Sequence, residues 1–344
     1  MPQSSIGAPL LADLQQFERP ANVASRVYYA PFGAPRARAS TRPHVRMSHD
    51  HHTLPRSTWV LMLVLTLGWG CNWPMMKIAL HEIPVWTFRS LCVWAGAIGV
   101  LLIARVRGHA LLPPRTQWPR VFVTALFNVT GWNILIGYGV TLLPAGRSAI
   151  LAYTMPLWVA LLSVPVLKEP LTSRRLMGLS LGMGGMLLLL SNELAVLRAA
   201  SVGALFVIGA AWSWAIGTVL MKRFPTALAS TSFTGWQLLL GGVPIIVGAL
   251  LFDSGRLHEV SWQAMLALAY NMVVAFILCH WIWFEIVSRA SATVSSLGTL
   301  SIPVVGVFSS MLILGERPDW REYAALILVL AAIGTVLVPV KRKS

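Results

Sequence analysis

Few side chains inside the apolar runs of this sequence could do chemistry, and those few are spaced along helix faces. In the stretch GWGCNWPMMK, Trp69, Trp73 and Lys77 fall at i, i+4 and i+8, with Asn72 and Met76 on the shoulder. Trp214, Thr218 and Lys222 repeat that spacing. Flat amphipathic rings beside an amide suit noncovalent recognition of an organic solute. Alternatively the rings pack a bundle and the lysines reach a membrane interface. Arg89 either binds an anionic group of a solute or bonds helix-end carbonyls. Arg147, Leu151, Thr154 and Trp158 share one face, beside Tyr153. A guanidinium at the mouth of a cavity favours carboxylate or phosphate, the other reading being an interfacial arginine. Asn133, Tyr138, Gln237, Asn271, Ser295 and Thr299 complete the candidate cavity set, the last two either bonding a solute or letting helices approach closely. His280 and Glu285, in CHWIWFEIV, are the candidates for proton coupling, because low dielectric shifts proton affinity. Glu285 could instead pair with Arg289, one turn on.

None of these roles is covalent, and no catalytic residue is assigned. The apolar runs hold no aspartate and no His-Glu-x-x-His or Gly-x-Ser-x-Gly, so a membrane-embedded lipid enzyme is a remote alternative. A phosphate-binding loop is absent from the sequence too, which argues against ATP as the driving force. Cys71, Cys92 and Cys279 lack paired spacing, and the HDHH tract from His49 sits in a polar tail, so neither metal nor cofactor is expected.

The elements that must position these residues are membrane helices. The 344 residues are 56% hydrophobic and 11% charged, with mean hydropathy +0.69, a balance no water-facing surface could supply. Apolar runs of spanning length lie at roughly 58–79, 84–104, 119–141, 144–166, 173–191, 201–221, 229–252, 262–286, 291–314 and 320–340. The formal charge of +15 sits between these runs rather than on one face, which argues against a nucleic-acid partner. Its distribution puts both termini on the cytoplasmic side of the cell membrane: one set of loops carries Arg105, Arg107, Arg115, Lys168, Arg174 and Arg175 among others, and the opposite set only Arg198, Arg256, Arg317 and Arg321.

Residues 1–56 are rich in Pro, Ala, Arg and Ser and read as a disordered basic extension, with Met47 as an alternative start. The remainder repeats. Pro156 precedes Glu169 by the same interval as Pro303 precedes Glu316, WGCNWPMMK matches WAIGTVLMK at its tryptophan and its Met-Lys end, and Arg89 falls opposite Gln237. Two halves of five helices each must enter the membrane from opposite sides. The expected fold is therefore an all-α membrane protein of ten transmembrane helices as two inverted five-helix repeats, 57–192 and 193–340, with a basic tail over 341–344. Inverted halves allow one scaffold to open to either side around a central site. Glu169 and Glu316 could each cap the next helix or pair with Arg174 or Arg317. The G-x-x-x-G face of Gly178, Gly182, Gly184 and Gly185 permits close packing, and leaves a homodimer open.

The ten spans, the duplicated Pro–Glu motif ending in KEPLT and LGERP, the WG and lysine of the first span and the WQLLLGG of the seventh together resemble the EamA-type families of the drug/metabolite transporter superfamily, over about residues 58–340. Here LKEP stands where the family more often has Leu-Gly-Glu. The resemblance implies a secondary transporter, an exporter or permease, for a small amino acid, organic acid, similar metabolite or drug, with lipid as its surroundings. A non-transporting membrane partner or sensor subunit is the alternative.

Overall fold

The computed structural model describes residues 56–170, 172–196, 198–254, 259–289 and 292–337. The expected extension as far as Pro55, including His49 to His52, and the tail over 341–344 lie outside the described residues. Among the described residues fourteen α-helices run in chain order: α1 Arg56–Gly70, α2 Asn72–Glu82, α3 Val85–Val106, α4 Trp118–Ala125, α5 Trp132–Leu142, α6 Ala145–Ala152, α7 Met155–Leu167, α8 Ser173–Val196, α9 Arg198–Arg223, α10 Ser230–Phe252, α11 Trp262–Tyr270, α12 Cys279–Arg289, α13 Ala292–Leu314 and α14 Trp320–Leu337. Seven segments of the described residues are long and apolar enough to cross a membrane: Ser57–Glu82, Val85–Val106, Arg115–Leu142, Ala145–Leu167, Val202–Arg223, Ser230–Phe252 and Trp262–Ile286. The expected fifth, ninth and tenth spans are helical as α8, α13 and α14.

Several crossings are interrupted, and residue chemistry explains the breaks. Cys71 separates α1 from α2, placing Pro74 in the first turn of α2, where its missing N–H has no helical partner to lose. Pro156 likewise sits in the first turn of α7, after the break at Tyr153 and Thr154, whereas its sequence counterpart Pro303 lies inside α13. Two π-helical segments, Leu126–Gly131 between α4 and α5 and Asn271–Leu278 between α11 and α12, occupy matching places in the two halves. A π turn leaves carbonyls out of register with the α-helical ladder and free for other donors.

The most extensive helix contacts recur when the two halves are exchanged. α3 lies along α10, and α8 along α14. α9 packs on α5 and α7, as α1 and α2 pack on α11, α12 and α13. The second π segment rests on α3, as the first rests on α10. Small residues allow the closest approaches: a Cβ on Gly248 would run into the Trp86 ring. Within the glycine tract of α8, a Cβ on Gly182 would strike the Leu157 side chain, so that glycine packs inside the chain.

The duplicated Glu motif is a helix-ending device. Lys168 and Gly315 both adopt the left-handed conformation, with φ of 56° and 68°. The next amides, of Glu169 and Glu316, donate to the carbonyls of Ser163 and Ser310 at 3.3 and 3.4 Å.

Candidate functional site

The faces singled out by spacing turn toward the contacts between the halves. At the second π segment, the Ala275 carbonyl accepts the Trp69 indole N–H at 3.1 Å and lies 3.2 Å from His280 Nδ1. The Trp69 ring meets His280 edge-on, with centroids 5.7 Å apart, and Tyr270 donates its hydroxyl to the Gly68 carbonyl at 2.8 Å. At the first π segment the arrangement has a counterpart. Ser213 donates to the Phe127 carbonyl at 2.7 Å, and Trp214 packs on Trp132 with centroids 5.3 Å apart.

A second pair of matching contacts involves sulfur. The buried Arg89 guanidinium donates to Met76 Sδ, while Gln237 Nε2 lies 3.6 Å from Met221 Sδ, which also receives Asn128 Nδ2 at 2.9 Å. Met76 and Met221 are the methionines of the repeated Met-Lys ends. A thioether is a weak acceptor, so it satisfies a buried cation or amide poorly. Arg89 Nε and, separately, the side-chain oxygens of Asn72, Asn128 and Asn271 are buried without a hydrogen-bond partner in the protein. Folded proteins satisfy nearly all such groups, and the exceptions require a reason such as a ligand.

Other candidates are held by the protein itself. Lys77 Nζ donates to the carbonyls of Val140, Thr141 and Leu143 at 2.6, 3.0 and 2.8 Å, closing the carboxyl end of α5. Arg147 donates to Glu322 Oε1 through Nε at 3.0 Å, beside a recess of about 240 Å³ that Glu316 and Arg317 also line. Glu322 in turn accepts the Asp319 amide at 2.6 Å, forming a capping box at the start of α14. Burial opposes ionisation of Asp319, but hydrogen bonding to Glu322 and to the Arg321 and Glu322 amides outweighs it and holds the carboxyl below its ordinary range. Glu285 pairs with Arg107 across the halves. Asn133, Thr218 and Asn271 each donate to a carbonyl four residues earlier in the chain. Tyr138 receives the Trp86 indole N–H at 2.9 Å, and Tyr153 is half-buried against the core. Ser295 and Thr299 belong to α13, and their side chains lie outside the described residues.

Sequence reasoning passed over Asn128, although an amide in the apolar run LFNVTG carries the same signal as Asn72. It also passed over the reach of three carboxylates. Glu82 accepts the Ser261 amide and hydroxyl, both at 2.6 Å, at the start of α11. Asp253 accepts the Thr87 amide at 2.8 Å and its hydroxyl at 3.0 Å, at the start of α3. Glu316 accepts the amides of Ala145 and Gly146 at 2.6 and 3.0 Å, at the start of α6. All three sets of bonds cross between the halves, at distances in sequence that local spacing does not reveal.

Comparison with known proteins gives this geometry its context. The model described as the EamA-like transporter family matches twice, over residues 56–191 and 201–338. The Bacillus subtilis protein named "Uncharacterized transporter YoaV" is 28% identical over 257 residues, covering 74% of this chain and 88% of that protein. The Escherichia coli "Probable amino-acid metabolite efflux pump" is 25% identical over 303 residues, covering 81% of this chain and 94% of its own length. A solved crystal structure superposes with a TM-score of 0.58 at 20% identity, covering 81% of this chain and 97% of the other, which shows a shared fold.

Proposed function

Because this chain belongs to the EamA-like transporter family and is a multi-pass membrane protein, we propose that it is a secondary transporter exporting a small organic metabolite by alternating access. In this reading all ten expected spans cross the membrane as two inverted five-helix repeats. Arginine and lysine then place both termini in the cytoplasm of a cell with an inner membrane. The exchange symmetry of the helix contacts supports two states of one scaffold.

The observation that carries the substrate reading is the set of buried polar atoms without partners: a guanidinium N–H at Arg89 and amide oxygens at Asn72, Asn128 and Asn271. One cationic donor and several acceptors complement a solute bearing both a carboxylate and N–H groups, as amino acids and their derivatives do. The name of the Escherichia coli relative points to the same class. Trp69 and Trp214 supply the apolar surface against which such a solute would rest.

Thermal stabilisation of the purified protein by a panel of amino acids, organic acids, nucleosides, sugars and drugs tests this, because a ligand of the folded state raises stability by mass action. Stabilisation by amino-acid-type solutes, followed by their flux through vesicles holding this protein alone, is the expected result. Hits confined to uncharged solutes would remove Arg89 from the site, and binding without flux would favour the sensor or partner-subunit reading.

A further inference from the structure

The two copies of the glutamate motif have the same local geometry but different partners. Glu169 and Glu316 each follow a left-handed residue at the end of a crossing, and each amide returns to the matching serine carbonyl. The shift relating Glu169 to Glu316 takes Ala145 and Gly146 to Ala292 and Thr293, the first residues of α13. Both helices open with a small residue and carry serine at the fourth position, Ser148 and Ser295.

Glu316 binds the first two amides of α6, the place where unpaired N–H groups and the positive end of the helix dipole meet a carboxylate best. Lys77 holds the adjacent carbonyl end of α5 and lies close enough to Glu316 for their charges to attract. The turn from α5 to α6 is thus gripped on both sides. At the opposite end of that crossing, Glu169 is instead paired with Arg175 of α8, within its own half, at 2.5 Å. Its counterpart to Lys77, Lys222, is exposed. Glu316 thus reaches across the halves, whereas Glu169, among the described residues, pairs within its own half.

We propose that Glu316 and Glu169 are alternate latches of the transport cycle: Glu316 on α6 closes one end, and Glu169, released from Arg175, caps α13 to close the other. This rests on the alternating-access reading, and it assigns the structure to the state in which the Glu316 latch is engaged and the Glu169 latch is not. By the charge distribution the Glu316 end is extracellular. The exchange needs no new chemistry. A carboxylate gives up one set of N–H donors at one end while its counterpart trades a guanidinium for the matching set at the other.

Hydrogen–deuterium exchange of the full chain reads these amides directly, in wild type, Glu316→Gln, Arg175→Gln and the double variant Glu316→Gln/Glu169→Gln. Glu316→Gln is expected to speed exchange at Ala145 and Gly146 about tenfold, the usual effect of losing a cap, and to slow it at Ala292 and Thr293. Arg175→Gln, a change at a partly exposed position, should shift both sites in the same directions by freeing Glu169. The double variant should lose the gain at α13. Faster exchange at α6 with no change at α13 in either single variant would overturn the proposal and leave Glu316 a fixed structural cap. These readouts require no solute, so opposed shifts in a protein that carries no flux would instead count against the transport reading.

Discussion

The guanidinium of Arg89 is buried against the thioether of Met76, and no carboxylate among the described residues pairs with it. The second half puts Gln237 beside Met221 at the matching place, a neutral amide where the first half has a permanent charge. The two halves share a scaffold and differ here in electrostatics.

Replacing Arg89 with glutamine copies the second half's own solution. The variant should fold with a ligand-free melting temperature equal to or above wild type, since a buried charge without a counter-ion is removed. Binding of carboxylate solutes should weaken about 10- to 100-fold, the range expected for a lost charge-assisted hydrogen bond. Thermal-shift titrations measure both; retained affinity would make Arg89 structural.

Lys77 behaves oppositely. Lys77→Met leaves the carbonyls of Val140, Thr141 and Leu143 without their donor and should lower stability by about 1–3 kcal/mol, with solute affinity unchanged. Unfolding curves with and without ligand separate these effects. A selective loss of affinity would return Lys77 to the binding site.

Lys168 holds a backbone conformation that Gly315 adopts at the equivalent turn. Lys168→Gly should stabilise the protein by about 1 kcal/mol, the strain of a left-handed residue with a Cβ less the entropy glycine adds to the unfolded chain. A lowered melting temperature would show that the lysine side chain contributes a contact outweighing that strain.

The glycines of α8 should respond unequally. Gly182→Ala drives a Cβ into Leu157 and should cost about 1–3 kcal/mol. A methyl group added at Gly184 would meet nothing within 4 Å, so Gly184→Ala should be neutral or stabilising by about 1 kcal/mol. If Gly184→Ala changed the oligomeric state on size-exclusion chromatography, this face would be a dimer contact.

The sequence by itself determined that the chain lives in a membrane, because apolar runs of spanning length leave helices as the available backbone solution. Its repeated Pro–Glu intervals and Met-Lys ends also marked two related halves, since local motifs keep their spacing when a unit is duplicated. It further picked out Trp69, Asn72, Arg89 and Gln237, because polar atoms are costly among apolar neighbours. What only the tertiary structure decided is which of these polar groups is already satisfied. Lys77, Arg147 and Glu285 stood as candidates beside Arg89, yet each meets a partner brought from another helix: carbonyls at the end of α5, Glu322 and Arg107. The same holds for Glu316, whose two amide partners lie in the opposite half. Hydrogen bonds act over about 3 Å, and helix spacing carries no record of which distant chain end arrives at that distance.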